Sequence, residues 1–167
     1  MIRLAIVTIS DKASRGERED AGGPAIRESL ASLGVDMTEV EYRVIADDEH
    51  EIAEALFHLT QRPDVDLILT TGGTGLAPGD VTPQATLHAI DYEVPGIAEA
   101  MRAASLNVTP AGMLSRGLAG VRGGTLIINL PGNPKAVREN LAAIAAALPH
   151  AISTLRGEVG EHSRPQG

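Results

Sequence analysis

The sequence predicts an α/β fold: a three-layer α/β/α sandwich around a mostly parallel sheet. Three observations carry this. Short apolar, β-branched runs at 2–9, 66–70 and 125–129 read as buried strands. Helical patterns separate them, and strands alternating with helices build helices onto both faces of a sheet. The strands end in polar turns rich in Asp, Asn, Thr and Gly, where such sheets hold ligands.

The elements follow in order. The run 2–9 is a strand ending in polar Ser10 and Asp11. Residues 12–23, charged and glycine-containing, read as a loop. Pro24 opens a helix whose apolar face is Ile26, Leu30 and Leu33, and Gly34 closes it. Val40, Tyr42 and Val44 alternate as a second strand that stops before Asp47 and Asp48. Asp48 caps the next helix with Glu51 as its capping-box partner, and Ile52, Leu56 and Leu59 form that helix's buried face. A strand over 66–70 runs into a glycine-rich turn. Thr82 and Pro83 read as the N-cap and first residue of a helix to about Ile90. Pro95 and Gly96 begin another, ending before Pro110. A short strand falls within 113–121, Arg122-Gly123-Gly124 make a turn, and 125–129 form a further strand. Asn133 caps and Pro134 begins an alanine-rich helix to about Ala147, and a last helix runs from Pro149 to about Arg156. Residues 1–156 are expected to be one domain, with 157–167 a frayed polar tail.

Composition narrows the class. At 167 residues the chain suits one core rather than two. No apolar run approaches the ~20 residues of a membrane span. The opening Met1-Ile2-Arg3-Leu4 lacks the cleavage site of a secretory leader, so a cytoplasmic protein without a membrane partner is expected. The absence of cysteine excludes disulfides and thiolate metal sites. A net charge of −8 and 2% aromatic residues argue against a nucleic-acid partner, which needs cations for phosphates and ring faces for bases. An acidic chain binds small anions only where it offers N–H groups, placed cations or a divalent metal.

Four polar turns are expected to converge beyond the strand ends: Ser10-Asp11, Asp47-Asp48, 70–80 and 129–134. The most informative is Thr70-Thr71-Gly72-Gly73-Thr74-Gly75. Its glycines let backbone N–H groups approach a ligand closely, which suits phosphate. A Cβ at Gly73 is expected to block that approach. The spacing is neither a Walker A loop nor the dinucleotide fingerprint. Asp47 and Asp80 stand on either side of it. Alone, one reads as a helix cap and the other as a solvated loop acid. Together around a phosphate-type turn they read as oxygen ligands for Mg²⁺. The turn Leu130-Pro131-Gly132-Asn133-Pro134, stiffened by two prolines, precedes a helix N-terminus whose partial positive charge favours an anion. His50, His58, His88, His150 and His162 show no metal-ligand spacing, and no serine occupies a nucleophile elbow. Lys12, Arg15, Arg102, Arg116, Arg122 and Lys135 are the cations weighed for a phosphate contact.

In this order the motifs make the chain similar to the Mog/MoaB family of molybdenum cofactor biosynthesis, the molybdopterin adenylyltransferases. The resemblance spans roughly residues 2–155. It is carried by Ser10-Asp11, Asp20-Ala21-Gly22-Gly23-Pro24, Thr71-Gly72-Gly73-Thr74-Gly75 and Asp80-Val81-Thr82-Pro83-Gln84-Ala85-Thr86. It continues through Thr109-Pro110-Ala111-Gly112-Met113-Leu114-Ser115-Arg116 and Ile127-Ile128-Asn129-Leu130-Pro131-Gly132-Asn133-Pro134.

The resemblance implies the family's fold and a nucleotidyltransferase reaction. AMP passes from Mg-ATP to the terminal phosphate of molybdopterin, and pyrophosphate leaves. The attacking group is already an oxyanion, so the difficulty is bringing two anions together rather than removing a proton. Carried over by motif, Asp47 and Asp80 are catalytic acids acting through Mg²⁺, directly or through its water. Ser115 is the motif serine of the pterin side. Gly72, Gly73, Thr74 and Gly75 form the nucleotide and phosphate loop. Asn129, Pro131, Gly132, Asn133 and Pro134 form a second wall, and Ser10, Asp11 and Asp20 a rim. The resemblance also implies a homotrimer or hexamer, and hand-over between molybdopterin synthase and molybdenum insertion proteins. Members often carry a basic residue where this chain has Gly79. Either one phosphate contact is missing, or Arg116 or Lys135 supplies it.

Two other readings share the fold. A non-catalytic molybdopterin-binding or assembly protein would keep the pocket, but would not need both Asp47 and Asp80. The related metal-insertion domain usually belongs to a longer protein with a different glycine turn, and fits this chain poorly.

Overall fold

β1 (Ile2–Ile9) shows why the sheet is covered on both sides. Successive strand residues point to opposite faces. Leu4 and Ile6 enter one core, while Ala5, Val7 and Ile9 enter another. A computed structural model describes residues 1–158, so the expected tail lies, from residue 159 onward, outside the described residues.

The helices and strands alternate as expected. After β1 come α1 (Asp11–Ser14), α2 (Gly22–Ser32), β2 (Met37–Ile45), α3 (Glu49–Thr60), β3 (Leu67–Thr71) and α4 (Thr82–Ala89). Then follow β4 (Tyr92–Glu93), α5 (Pro95–Leu106), β5 (Ala119–Arg122), β6 (Thr125–Leu130), α6 (Pro134–Ile144) and α7 (Leu148–Leu155). The strand order is β2-β1-β3-β6-β5-β4. The first four are parallel; β5 and β4 continue the sheet antiparallel. One core joins α2, α5, α6 and α7 to the sheet through Ile26, Leu30, Met101, Leu141 and Ile152. The other joins α3 and α4 through Ile52, Leu56, Leu59 and Ala85. These are the two outer layers of the sandwich.

Side-chain caps explain several helix starts, and also some departures from expectation. Asp48 accepts the Glu51 N–H at 2.8 Å, but only half of the expected box forms, because the Asp48 N–H goes to the Ala46 carbonyl at 2.9 Å. The segment expected as a loop over 12–23 contains α1, capped by the Ser10 hydroxyl on the Ala13 N–H at 3.2 Å. α2 begins at Gly22, two residues before Pro24. Its opening N–H groups, on Gly22 and Gly23, are received by the Asp20 carboxylate at 2.9 and 3.1 Å. Thr82 is helical rather than the cap of α4. Its hydroxyl donates to the Gly72 carbonyl at 2.9 Å instead. The alanine-rich helix breaks at Ile144 into a 3₁₀ turn, Ala145–Ala147, before α7. A second 3₁₀ turn, Pro110–Leu114, and the two-residue strand β4 had no sequence signal.

At the amino ends of the strands, away from the polar turns, Asp66 ties the termini together. Its carboxylate accepts from the Arg3 N–H and Nε, both at 2.9 Å, and from the Arg156 Nε at 3.2 Å. Burial alone would push this carboxyl up, but the Arg3 and Arg156 guanidinium groups overcome that and hold it well below the ordinary carboxylate range. A depressed folded-state pKa stabilises the fold above the unfolded value, about 4, and that stabilisation fades as pH falls through and below it. Asp66→Asn is therefore expected to cost about 2 kcal/mol at pH 7, less than for a sealed pair because both arginines reach water. Urea unfolding should show the gap between variant and wild type narrowing below about pH 4. A gap independent of pH would contradict the assignment.

Candidate functional site

The chain visits β1, then β2 on one side, and returns to β3 on the other. A crevice opens where neighbouring strands lead their connections in opposite directions, at the carboxyl ends. A cavity of about 490 Å³ lies there, within the usual range of small-molecule sites. Turns after β1, β2, β3 and β6 all contribute to it.

Of the expected site residues, Ser10, Asp20, Asp47, Gly72, Gly73, Asp80, Gly132, Asn133 and Pro134 line the cavity. Asp11 does not, but it holds one that does. The Asp11 N–H donates to Asp47 Oδ2, and the Asp47 N–H to Asp11 Oδ1, each at 2.9 Å. This reciprocal pair locks the turn after β2 to the turn after β1. Burial pushes the Asp47 carboxyl above its ordinary value. The Asp11 N–H opposes that, and the negative charges of Asp11 and Asp80 add to it.

The glycine turn has a role the sequence did not show. Gly72 and Gly73 take φ of 104° and 68°, which L side chains rarely adopt. The places their side chains would fill are taken by the protein itself. A Cβ on Gly73 would meet the Thr82 hydroxyl and lie 3.3 Å from Asp47 Oδ1; one on Gly75 would lie 2.9 Å from Asp80 Oδ2. The glycines thus make room for both acids. The Gly72 N–H donates to the Leu130 carbonyl at 3.2 Å, while the Gly73 N–H has no acceptor among the described residues. Gly132 packs against Gly72, whose Cα lies 3.4 Å from where a Gly132 Cβ would stand.

Several expected residues play other parts. Asn129 is buried beneath the cavity rather than forming its wall. Its amide donates to the Thr70 and Thr86 hydroxyls at 3.1 and 3.0 Å, bridging β3, β6 and α4. The Pro131 carbonyl accepts from the Thr71 hydroxyl at 2.8 Å. The Asn133 side chain caps α6 by accepting from the Lys135 and Ala136 N–H groups at 2.9 and 3.3 Å, so these two N–H groups already have partners. Thr74, Gly75 and Ser115 stand outside the cavity. The Arg116 N–H donates to the Thr74 carbonyl at 2.8 Å, its Nε to the Gly75 carbonyl at 2.9 Å and its Nη2 to the Asp80 carbonyl at 2.7 Å. Arg116 thus clasps the loop that carries Asp80. Asp20 accepts from the Thr8 and Tyr42 hydroxyls as well as the α2 amides; burial and this acid push the Tyr42 phenol up to about 12.

Asp47 and Asp80 share one cavity, and Asp47 is held up by burial and by like charge. That setting fits a divalent cation, which would relieve the repulsion. Among the described residues no group of three or more His, Asp or Glu forms a full cage, so such a cation would complete its shell with phosphate oxygens and water. Sequence reasoning missed Thr8, Arg18 and Glu19 in the lining. Arg18 and Glu19 sit in a segment without hydrophobic period, where no pattern signals direction, and Thr8 is a polar residue within the apolar run of β1.

Fold and cavity together define an open α/β ligand-binding domain of the doubly wound type. The model of the probable molybdopterin binding domain matches residues 5–150, and the chain belongs to that family. It is 40% identical to the molybdopterin adenylyltransferase of Helicobacter pylori strain J99 over 93% of this chain and 89% of that protein. It is also 40% identical to the molybdopterin adenylyltransferase of Escherichia coli K12, over 93% of this chain and 86% of the other. The crystal structure of the molybdopterin biosynthesis enzyme MoaB from Thermus thermophilus superposes with a TM-score of 0.87 at 52% identity, covering 94% of this chain and 98% of that one. No helix among the described residues is long and apolar enough to cross a membrane.

Proposed function

We propose that this protein is a molybdopterin adenylyltransferase, moving AMP from Mg-ATP to the terminal phosphate of molybdopterin with release of pyrophosphate. The observation that carries the reading is the meeting of Asp47, Asp80 and the Gly72-Gly73 turn in one cavity of ligand size. The names of the relatives that match nearly the whole chain support the same reaction.

The chain's part in that reaction is placement. Asp47 and Asp80 would hold Mg²⁺, directly or through water, and the ion when bound neutralises phosphate charge. The Gly73 N–H, which has no internal partner to leave among the described residues, would be free to meet the developing anion. The reciprocal Asp11–Asp47 pair and the Arg116 clasp keep both acids still, so alignment of the two phosphates needs no loop ordering at the moment of transfer. We assign Ser115 to the pterin side, across the glycine turn from the cavity. The activity belongs to residues 1–156 as one unit, in the cytoplasm. Self-association into a trimer or hexamer is supported by the exposed apolar side chains of Leu106, Val108, Met113 and Leu114. The product passes to a molybdenum insertion protein, and the substrate comes from molybdopterin synthase.

The test is a single-turnover assay with molybdopterin, labelled ATP and Mg²⁺. Pyrophosphate and adenylylated pterin should appear in equal amounts, and omitting the pterin should abolish both. Pterin binding with no pyrophosphate would overturn the reading in favour of a non-catalytic carrier.

A further inference from the structure

The charges lining the cavity are unbalanced in a way that points to one side chain. Glu19, Asp20, Asp47 and Asp80 line it, against the single cation Arg18. Asp20 is bound by uncharged donors, the Thr8 hydroxyl and the Gly22 and Gly23 N–H groups, so its charge joins those of the other acids in repelling any phosphate that enters. A divalent ion between Asp47 and Asp80 offsets part of this. The Glu19 side of the cavity needs a cation of its own.

The cations weighed from the sequence do not fill that need. None of Lys12, Arg15, Arg102, Arg116, Arg122 and Lys135 lines the cavity. Arg116 spends its guanidinium on the Gly75 and Asp80 carbonyls and on Gln84. Lys135 lies 3.8 Å from Glu139 along its own helix, and Arg15 is paired with Glu17. Arg18 differs from all of these in lining the cavity. Like Lys12, it makes no ion pair among the described residues, although acids line the same hollow. Its one side-chain bond is a long one, from Nη2 to the Ser10 hydroxyl at 3.3 Å. Ser10 is the residue before Asp11, so the guanidinium stands next to the locked Asp11–Asp47 pair. An arginine fork held at a cavity wall by one weak neutral contact has donors left for an anion.

We propose that Arg18 is the phosphate-contacting cation of this cavity. The inference rests on the adenylyl-transfer reading for the identity of the anion, a phosphate chain of the nucleotide or the terminal phosphate of the pterin. The two sources are separable. Mg-ATP titrated calorimetrically without pterin reads the first, and the KM for molybdopterin at saturating Mg-ATP reads the second.

Arg18→Gln should weaken one of these by about tenfold, the usual worth of a charge-assisted hydrogen bond to phosphate. Arg18→Lys should retain part of the affinity, since it keeps the charge but loses the fork. The melting temperature should not move in either variant, because the side chain is exposed and braces nothing. Whichever of the two is weakened, its binding by the wild type should also fall with salt more steeply than its binding by Arg18→Gln. ATP affinity and pterin KM both within twofold of wild type in Arg18→Gln would overturn the proposal. A wild type that binds Mg-ATP through Arg18 but transfers no AMP would instead overturn the enzymatic reading, leaving the Arg18 contact standing.

Discussion

Asp80→Asn is expected to turn over at least about 100-fold more slowly than the wild type, while melting at the same temperature. The rate loss follows from the cavity's electrostatics. On the proposed reading Asp80 would anchor a divalent ion beside two phosphates, where charge is redistributed, and its removal would cost about 2.7 kcal/mol or more in the transition state. The unchanged melting follows from its local bonds. Asp80 receives the Ala77 N–H on Oδ2 at 3.2 Å, and an asparagine oxygen can receive it equally. The other anchors of the residue are backbone groups, its N–H to the Ala77 carbonyl and its carbonyl to Arg116, which the substitution leaves alone. Single-turnover rates at saturating Mg²⁺ and ATP, with melting curves beside them, decide the matter. A rate within threefold of wild type would remove Asp80 from the mechanism. A large fall in melting temperature would show that the acid serves the loop, not the reaction.

What the sequence made legible, and what it hid, divides along the range of the forces involved. The alternating faces of β1 and the apolar stripe Ile52, Leu56, Leu59 of α3 are local periodicities, and a pattern repeated over several residues survives any small error. The caps Asp48 and Asn133 are legible for the same reason, since each bonds an N–H two or three residues away. Asn129 was misplaced because its partners, Thr70 and Thr86, are 59 and 43 residues distant. At a strand end, one residue of offset decides between facing the cavity and facing a helix. Thr82 looked like a cap because threonine before proline usually is one; its hydroxyl was instead claimed by the Gly72 carbonyl across the loop. The two acids of the site were legible as residues. Their shared cavity depends on parallel strands pairing non-sequentially, and on an Asp11–Asp47 lock that no spacing announces.

Gly72→Ala should lose about 3 kcal/mol or more of stability and leave little soluble enzyme, whereas Gly79→Ala should change stability by less than about 0.5 kcal/mol. Both glycines belong to the same loop, so the contrast isolates geometry from composition. Gly72 has φ of 104°, outside the regions open to L residues, and a Cβ there would run into the carbonyl oxygen of Ile9. That oxygen belongs to the last residue of β1, paired with Ile45 of β2 and following the Thr8–Thr71 pair with β3, and as backbone it cannot step aside as a flexible side chain could. Gly73 is a milder case, since there the obstacle is the Thr82 hydroxyl, a side-chain atom. A bulky residue at Gly73 should therefore disturb the Thr82 clasp and Asp47 before it touches any nucleotide. At Gly79 no atom lies within 4 Å of the place a Cβ would take, and the residue needs no positive φ. Urea midpoints of the three alanine variants should fall in the order Gly79, Gly73, Gly72, from most to least stable. If Gly72→Ala unfolded with the midpoint of Gly79→Ala, the close approach of this turn to β1 would be relaxed in solution. The carboxylates it makes room for would then have to be held by something else.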